Sequence, residues 1–417
     1  MHLLSSAAAV LVAIAGGGEA SSAGDWPQWR GPRRDGISTE TGLARKWPKD
    51  GPSLLWEAKG IGDGFSTVAV HQGRAYTQGN RGKEDLVIAL DVESGGKELW
   101  ATPNGKAYKN SFGDGPRGTP TIDGKVLYAL GGNGDLASIE LETGKKVWSI
   151  NILAEFKADN PEWGISESPL IVGEKLIVTP GGKDATIVAL DKSSGKTLWK
   201  SQGLSDSAAY SSCITFQAAG VEQVVNFTHK GVVGVSLADG KPLWRYDRVA
   251  NTVANIATPV HVDGHVFATS AYDTGCALVR LEPDGAGKVK AKEVYFSREL
   301  KNHHGGVVLV DDHIYGYSDG TLKCIEWKTG KVAWSSRSVG KGSLVFANGC
   351  LYILGEDGKV GLAEANPKEY RELSSFEIDH GRQKAWAHPV VAGGRLYIRT
   401  QDRVRCYDVA DGARTGN

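Results

Sequence analysis

Leu190-Asp191-Lys192-Ser193-Ser194-Gly195-Lys196-Thr197-Leu198-Trp199 runs from the end of an apolar strand through a polar turn into a second strand closed by tryptophan. Its second half, Gly-Lys-x-x-Trp, occurs five times, ending at Trp100, Trp148, Trp199, Trp244 and Trp334. Successive copies stand 48, 51, 45 and 90 residues apart, and the last gap is two periods. Tyr295-Phe296 fills the missing position, Trp56 stands one period before the first copy, and Phe376 about one period after the last. Self-similarity at this period is the mark of a repeat architecture.

A second count agrees. Each unit has an apolar strand, a tight turn and another apolar strand, with turns at Gln72-Gly73, Asp123-Gly124, Gly173-Glu174, Ala219-Gly220, Asp263-Gly264, Asp311-Asp312, Asn348-Gly349 and Gly393-Gly394. Two-residue turns of this composition join antiparallel strands. A third strand such as Val188-Ala189-Leu190-Asp191 and a fourth ending on the aromatic complete the unit. Four strands per period describe a propeller blade, so an all-β, eight-bladed β-propeller is expected. The last unit, Pro389 to Val409, supplies only three strands, whereas Leu54-Leu55-Trp56-Glu57 has no unit of its own. The N-terminal strand is therefore expected to complete the last blade and close the ring. The repeated tryptophans read as packing residues that dock one blade on the next. This divides the chain into residues 1–23, an extension over 24–52, one propeller over 53–410 and a tail over 411–417.

The unit Leu190 to Trp199 resembles the tryptophan-docking repeat of quinoprotein propellers, a repeat also found in the outer-membrane assembly lipoprotein propeller. Asp25-Trp26-Pro27-Gln28-Trp29-Arg30-Gly31-Pro32 is similar to the opening of secreted pyrroloquinoline-quinone-repeat-like proteins. The Gly-His and Trp-Asp marks of WD-type repeats are missing.

Composition bounds the setting. The 417 residues carry 48 basic and 48 acidic side chains, so no global field recruits nucleic acid or an acidic membrane. Leu3-Leu4 and Ala7 to Ala15 form an apolar run of signal-peptide length, with Ser21-Ser22-Ala23 as the expected cleavage site. Export to the periplasm or beyond follows, as a monomer with no transmembrane segment. No cysteine precedes Cys213, which excludes a lipoprotein anchor in this stretch. Cys213, Cys276, Cys324, Cys350 and Cys406 include no CxxC pair and read mostly as buried small hydrophobes.

In a propeller the residues ahead of each inner strand converge on one mouth of the axial channel. Those positions carry Phe65, Arg117, Glu167, Tyr210 with Ser211, Asn255, His303 with His304, Lys341, and Trp386 with His388. Long loops add Asp114 and Trp163. Each blade presents a different polar or aromatic group there, while the opposite face carries near-repetitive Gly-Lys turns. Such a rim suits a small-molecule ligand. His303, His304, Lys341 and Glu167 are the candidate catalytic groups; Asp114, Arg117, Trp163, Tyr210, Asn255, Trp386 and His388 are candidate ligand contacts. Glu167 and Lys341 also read as an ion pair lining a wet channel. His303 and His304 are consecutive in an apparently extended stretch and so point to opposite sides, which argues against one shared metal ion. Gly305-Gly306 allows close approach of backbone to a ligand.

The resemblance implies two activities, and the residues at the mouth suggest a third. By likeness to quinone-dependent alcohol dehydrogenases, Glu167, Asn255 and Lys341 would hold calcium and pyrroloquinoline quinone. The chain departs from those enzymes in lacking adjacent cysteines, a Cys-x-x-Cys-His haem site, and an aspartate in Lys301-Asn302-His303-His304. By likeness to the assembly-factor propeller, the chain would be a protein-interaction scaffold. The third is hydrolysis or lyase chemistry on a carbohydrate, using His303 or His304 with Glu167 and Lys341.

Overall fold

Turns with positive φ at both central residues, such as Asn348 (φ 48) with Gly349 (φ 76), match the right-handed twist of the strands they join. In the computed structural model, which describes residues 24–285 and 287–412, such turns build eight four-stranded antiparallel sheets. Residues 1–23, where the signal peptide is expected, and residues 413–417 of the tail lie outside the described residues. Seven blades are continuous in sequence, over 69–106, 121–151, 170–200, 214–246, 260–297, 307–336 and 342–377. The eighth takes three strands from residues 390–408 and its fourth, Leu54–Lys59, from the other end of the chain. The ring thus closes through the N-terminal strand, as the unpaired unit at Trp56 led us to expect.

What repeats is a contact between neighbours. The Trp199 indole N–H donates to the carbonyl of Leu237 in the next blade at 3.1 Å. Its ring covers Gly240, where an added methyl would overlap the indole. The glycine of each Gly-Lys-x-x-Trp turn is therefore the seat for the preceding blade's aromatic, which explains why the two recur together. Trp100 and Trp148 reach Leu141 and Lys192 in the same way, and Trp56 closes the circle on Val92 of the first blade. Tyr295, not Phe296, is the docking aromatic of the fifth blade, because it covers Gly330. All five cysteines are buried and unpaired, Cys276 included.

Blades packed this way leave a lumen on the axis, and residues 25–43 fill it. Asp25 enters beside His71 and the backbone of Gln72, at the end of an inner strand. Trp26 bridges Val70, and Pro27 accepts from the Ile122 backbone. The segment turns at Gly31, whose φ of 83 suits glycine and whose hydrogen atom faces the Trp26 ring. It then descends through Ser38, bonded to Phe346, to Glu40, whose carboxylate accepts from the backbone of Gly393 and Gly394. Two buried arginines hold the apex. Arg30 donates to the carbonyls of Asp35 and Val307; Arg34 donates to those of Ser168, Pro169 and Cys213.

Trp199→Ala removes a docked ring that its neighbours cannot fill, which costs about 3–5 kcal/mol. We expect the denaturation midpoint to fall accordingly; an unchanged midpoint contradicts the docking role.

Candidate functional site

Short hydroxyl residues set the height of the loops that enter the axis. The Thr119 backbone N–H donates to Ser168 Oγ at 2.8 Å, and the Ser168 N–H to Ser212 Oγ at 3.0 Å, so each blade locks the next just ahead of its inner strand. Thr67 Oγ1 donates to the His388 carbonyl at 2.6 Å across the closing seam.

On this frame the mouth forms a cup of about 290 Å³. Seven of the expected residues line it: Arg117, Trp163, Tyr210, His303, His304, Trp386 and His388. Phe65 joins them from the same row of positions, Phe112 from the loop that carries Asp114, and Tyr272 from the tip between two strands of the fifth blade. Trp29, from the axial segment, also lines the cup. The rings contact one another: Phe65 with Trp386 at 5.0 Å between centroids, Trp163 with Tyr210 at 5.5 Å, and Trp29 with His388 at 4.5 Å. The Arg117 guanidinium lies over Tyr108 and Phe65 and donates to the carbonyls of Gly113 and Gly115.

Four expected residues stand elsewhere. Glu167 is buried, its carboxylate accepting from the Thr179 backbone and hydroxyl at 2.6 and 2.9 Å. Asn255 is buried too, bonded to Asn251, Thr228 and His229. Asp114 ties its own loop together through Lys109 and the Asn110 N–H. Lys341 lies in an adjoining cleft, paired at 3.1 Å with Glu356 and not with Glu167. Glu356 gave no signal in the sequence, yet it also accepts from the Trp386 indole at 2.8 Å and approaches His304 Nδ1 at 3.5 Å.

Alternation explains Glu167 and Asn255. Ser166 lines the cup and Glu167 does not; Ala254 and Ile256 do and Asn255 does not; Trp386 and His388 do and Ala387 does not. In extended backbone every second side chain faces the axis, and the one between turns into the blade. His303 and His304 break this rule, because the chain bends at His304 and Gly305 and Gly306 has φ 65. Both imidazoles face the cup, with their Nδ1 atoms 3.2 Å apart, which corrects the expectation that they diverge. Among the described residues, no group of three or more His, Cys, Asp or Glu is placed to hold a metal ion.

The pyrroloquinoline-quinone-repeat family described as "Outer membrane protein assembly factor BamB" matches residues 83–336, more than half of the chain. The chain belongs to this family. It is similar to the outer membrane protein assembly factor BamB of Burkholderia pseudomallei, 22% identical over 354 residues that span 75% of this chain and 87% of that one. It is also similar to the tetrathionate hydrolase of Acidithiobacillus ferrooxidans, 24% identical over 359 residues, 84% of this chain but only 60% of that relative. Among solved structures, the quinohemoprotein alcohol dehydrogenase of Comamonas testosteroni shares the fold with a TM-score of 0.65 at 14% identity, covering 94% of this chain and 82% of that one.

In this quinone-repeat propeller the cup is electrically sparse. No carboxylate lines it, and Arg117 is its one permanently charged side chain among the described residues. Burial, reinforced by Lys341, pulls His303 down to about 4. Burial and then Arg30 pull His388 down to about 3, and burial drives His304 well below the ordinary range. All three imidazoles are neutral at pH 7. His388 Nε2 donates to the His304 carbonyl at 2.8 Å, so its Nδ1 is a buried acceptor without a protein donor. Burial pushes the Glu167 carboxyl the other way, up to about 7.

The unfolded chain takes up a proton on His388 below about 6.5 and the folded one only near 3, so acidification favours unfolding in that window. From pH 7 to 5 this residue alone costs about 2 kcal/mol. Glu167, whose folded value lies above its ordinary 4.5, acts oppositely and gains stability as pH falls through 7. We expect His388→Phe to lose less stability between those two pH values than the parent, by about that amount, in urea titrations. Equal losses contradict a buried neutral imidazole.

Proposed function

We propose that the protein is an exported propeller that binds a flat, largely apolar small molecule in the cup, with an acceptor or anionic group of the ligand directed to Arg117. The observation that carries this reading is the lining itself: aromatic rings tilted against one another, neutral imidazoles, one guanidinium and no carboxylate. Aromatic walls favour a planar ring system, and a guanidinium in a mostly apolar site favours a carboxylate or carbonyl oxygen. The apolar N-terminal run of the sequence supports export, as does the outer-membrane setting named for the Burkholderia relative.

The calcium-dependent dehydrogenase reading fits these residues poorly. Calcium takes six to eight oxygen ligands, usually including carboxylates. Glu167 and Asn255, the residues offered for it by resemblance, are turned into their blades and committed to internal hydrogen bonds. A sugar-cleaving reading needs an acid in the cup and meets the same difficulty. Docking of a protein partner is the second reading, favoured by family membership and by Phe112 and Tyr272, 58% and 45% exposed at the rim.

Calorimetric titration with naphthalene-2-carboxylate and with pyrroloquinoline quinone, each with and without calcium, tests the proposal. We expect aromatic carboxylates to bind independently of calcium, and Trp163→Ala to weaken them about tenfold with little change in melting temperature. Absence of binding for every aromatic probe contradicts the proposal. Tight quinone binding that needs calcium and is weakened by Glu167→Ala would restore the dehydrogenase.

A further inference from the structure

Trp29 differs in origin from every other residue that lines the cup. The rest belong to the blades and their loops, whereas Trp29 is carried up the axis by a segment that precedes the first strand of the ring. The segment enters at the opposite ends of the inner strands, at Asp25 beside His71, and presents Trp29 near its apex. The indole is therefore the floor of the cup, and the blades are its wall.

The height of this floor is fixed by bonds on every side. Trp29 Nε1 donates to Thr258 Oγ1 at 3.0 Å, and the ring lies 4.5 Å from His388 at 52°. Next to it, Arg30 reaches the first inner-strand carbonyl of the sixth blade, Val307. Gln28 donates to the Pro32 carbonyl at 2.9 Å and accepts from Arg34 Nε at 2.9 Å, closing the apex on itself. Arg34 then fastens that apex to the third and fourth blades through Ser168, Pro169 and Cys213. A side chain needed only to fill the lumen would not have to be pinned both to Thr258 and, through its neighbours, to several separate blades.

We propose that Trp29 is a specificity-determining residue: the axial segment, and not the repeats, sets how far a ligand penetrates and so the length of ligand the cup accepts. This rests on the reading of the cup as a ligand site. The class it selects is a compact planar system of about two fused rings, lying between the indole floor and the aromatic rim, with its anionic group at Arg117. Longer rods are rejected by the floor. Substituting the indole by a small side chain opens the space above the segment without touching a wall residue.

Titrating the full mature protein with naphthalene-2-carboxylate and with the longer biphenyl-4-carboxylate tests this. We expect the parent to prefer the naphthalene acid, and Trp29→Ala to invert the preference, with a combined change in the affinity ratio of about tenfold or more. Trp29→Phe keeps a ring on the floor and should fall between the two; it also serves if the alanine variant does not fold. Thr258→Val, which removes the acceptor holding the indole, should blur the preference while leaving total affinity close to that of the parent. If the parent binds both acids and the ratio is unmoved by Trp29→Ala or Trp29→Phe, the residue is mere filling and the inference fails while the ligand site stands. If the parent binds neither acid, the ligand site itself fails and the inference with it.

Discussion

The eight blades close around an axis that residues 25–38 occupy. The carbonyls of Ser168, Pro169, Cys213 and Val307, at the start of three inner strands, face this segment, and a buried carbonyl without a donor is costly. Arg34 meets this constraint by donating to carbonyls of two blades at once, and Arg30 by reaching a third. Burial pulls both guanidinium groups down to about 10, a sign of how much hydration they surrender. For Arg34 the hydrogen bonds offset that loss, because they also satisfy carbonyls the ring would otherwise strand, whereas Arg30 Nε and Nη1 are buried without a partner. Carboxylates staple the segment where it enters and leaves, Asp25 at Gln72 and Glu40 at Gly393 and Gly394. The site depends on the same element, since without it the mouth would be an open channel.

Around the axis, cohesion is a nearest-neighbour matter. Each docked aromatic rests on the next blade, so the ring has no free end once Leu54–Lys59 joins the eighth sheet and Trp56 reaches Val92. The polar chemistry of the cup is in turn held from behind. Glu356 fixes Trp386 through its indole N–H, neutralises Lys341 and lies near His304, keeping a carboxylate close to the cup without placing one in it.

The fold was legible because its central contact, an aromatic and the turn that receives it, recurs along the sequence, with Trp244 the exception that bonds to Gln223 of its own blade. The irregular units follow the same rule: Tyr295 still finds Gly330, and the Trp334 indole donates to the Asn366 carbonyl of the next blade. The site was legible in position but not in direction. Glu167 and Asn255 occupy the right stretch of chain, yet one residue of register turns them into the blade, as alternation would have shown had it been applied there. The same alternation misled at His303 and His304, where a bend ahead of Gly306 suspends it. Trp29 and Glu356 could not be assigned from repeats, because one lies outside them and the other acts from behind the wall. The Trp-Pro-Gln-Trp-Arg-Gly-Pro run was the available signal for the first.

Hydrogen exchange across residues 25–38 tests the central claim most directly, namely that this segment is built into the axis. The backbone N–H groups of Trp26 and Ser38 donate to blade carbonyls, those of Val70 and Phe346, and the N–H groups of Gly31, Arg34 and Gly36 donate within the segment. Buried in the axis, they should exchange as slowly as inner-strand amides paired within their own blade, opening only when the propeller unfolds. Exchange within seconds, while the blades remain protected, would mean that the segment does not reside in the channel and that the cup has no floor.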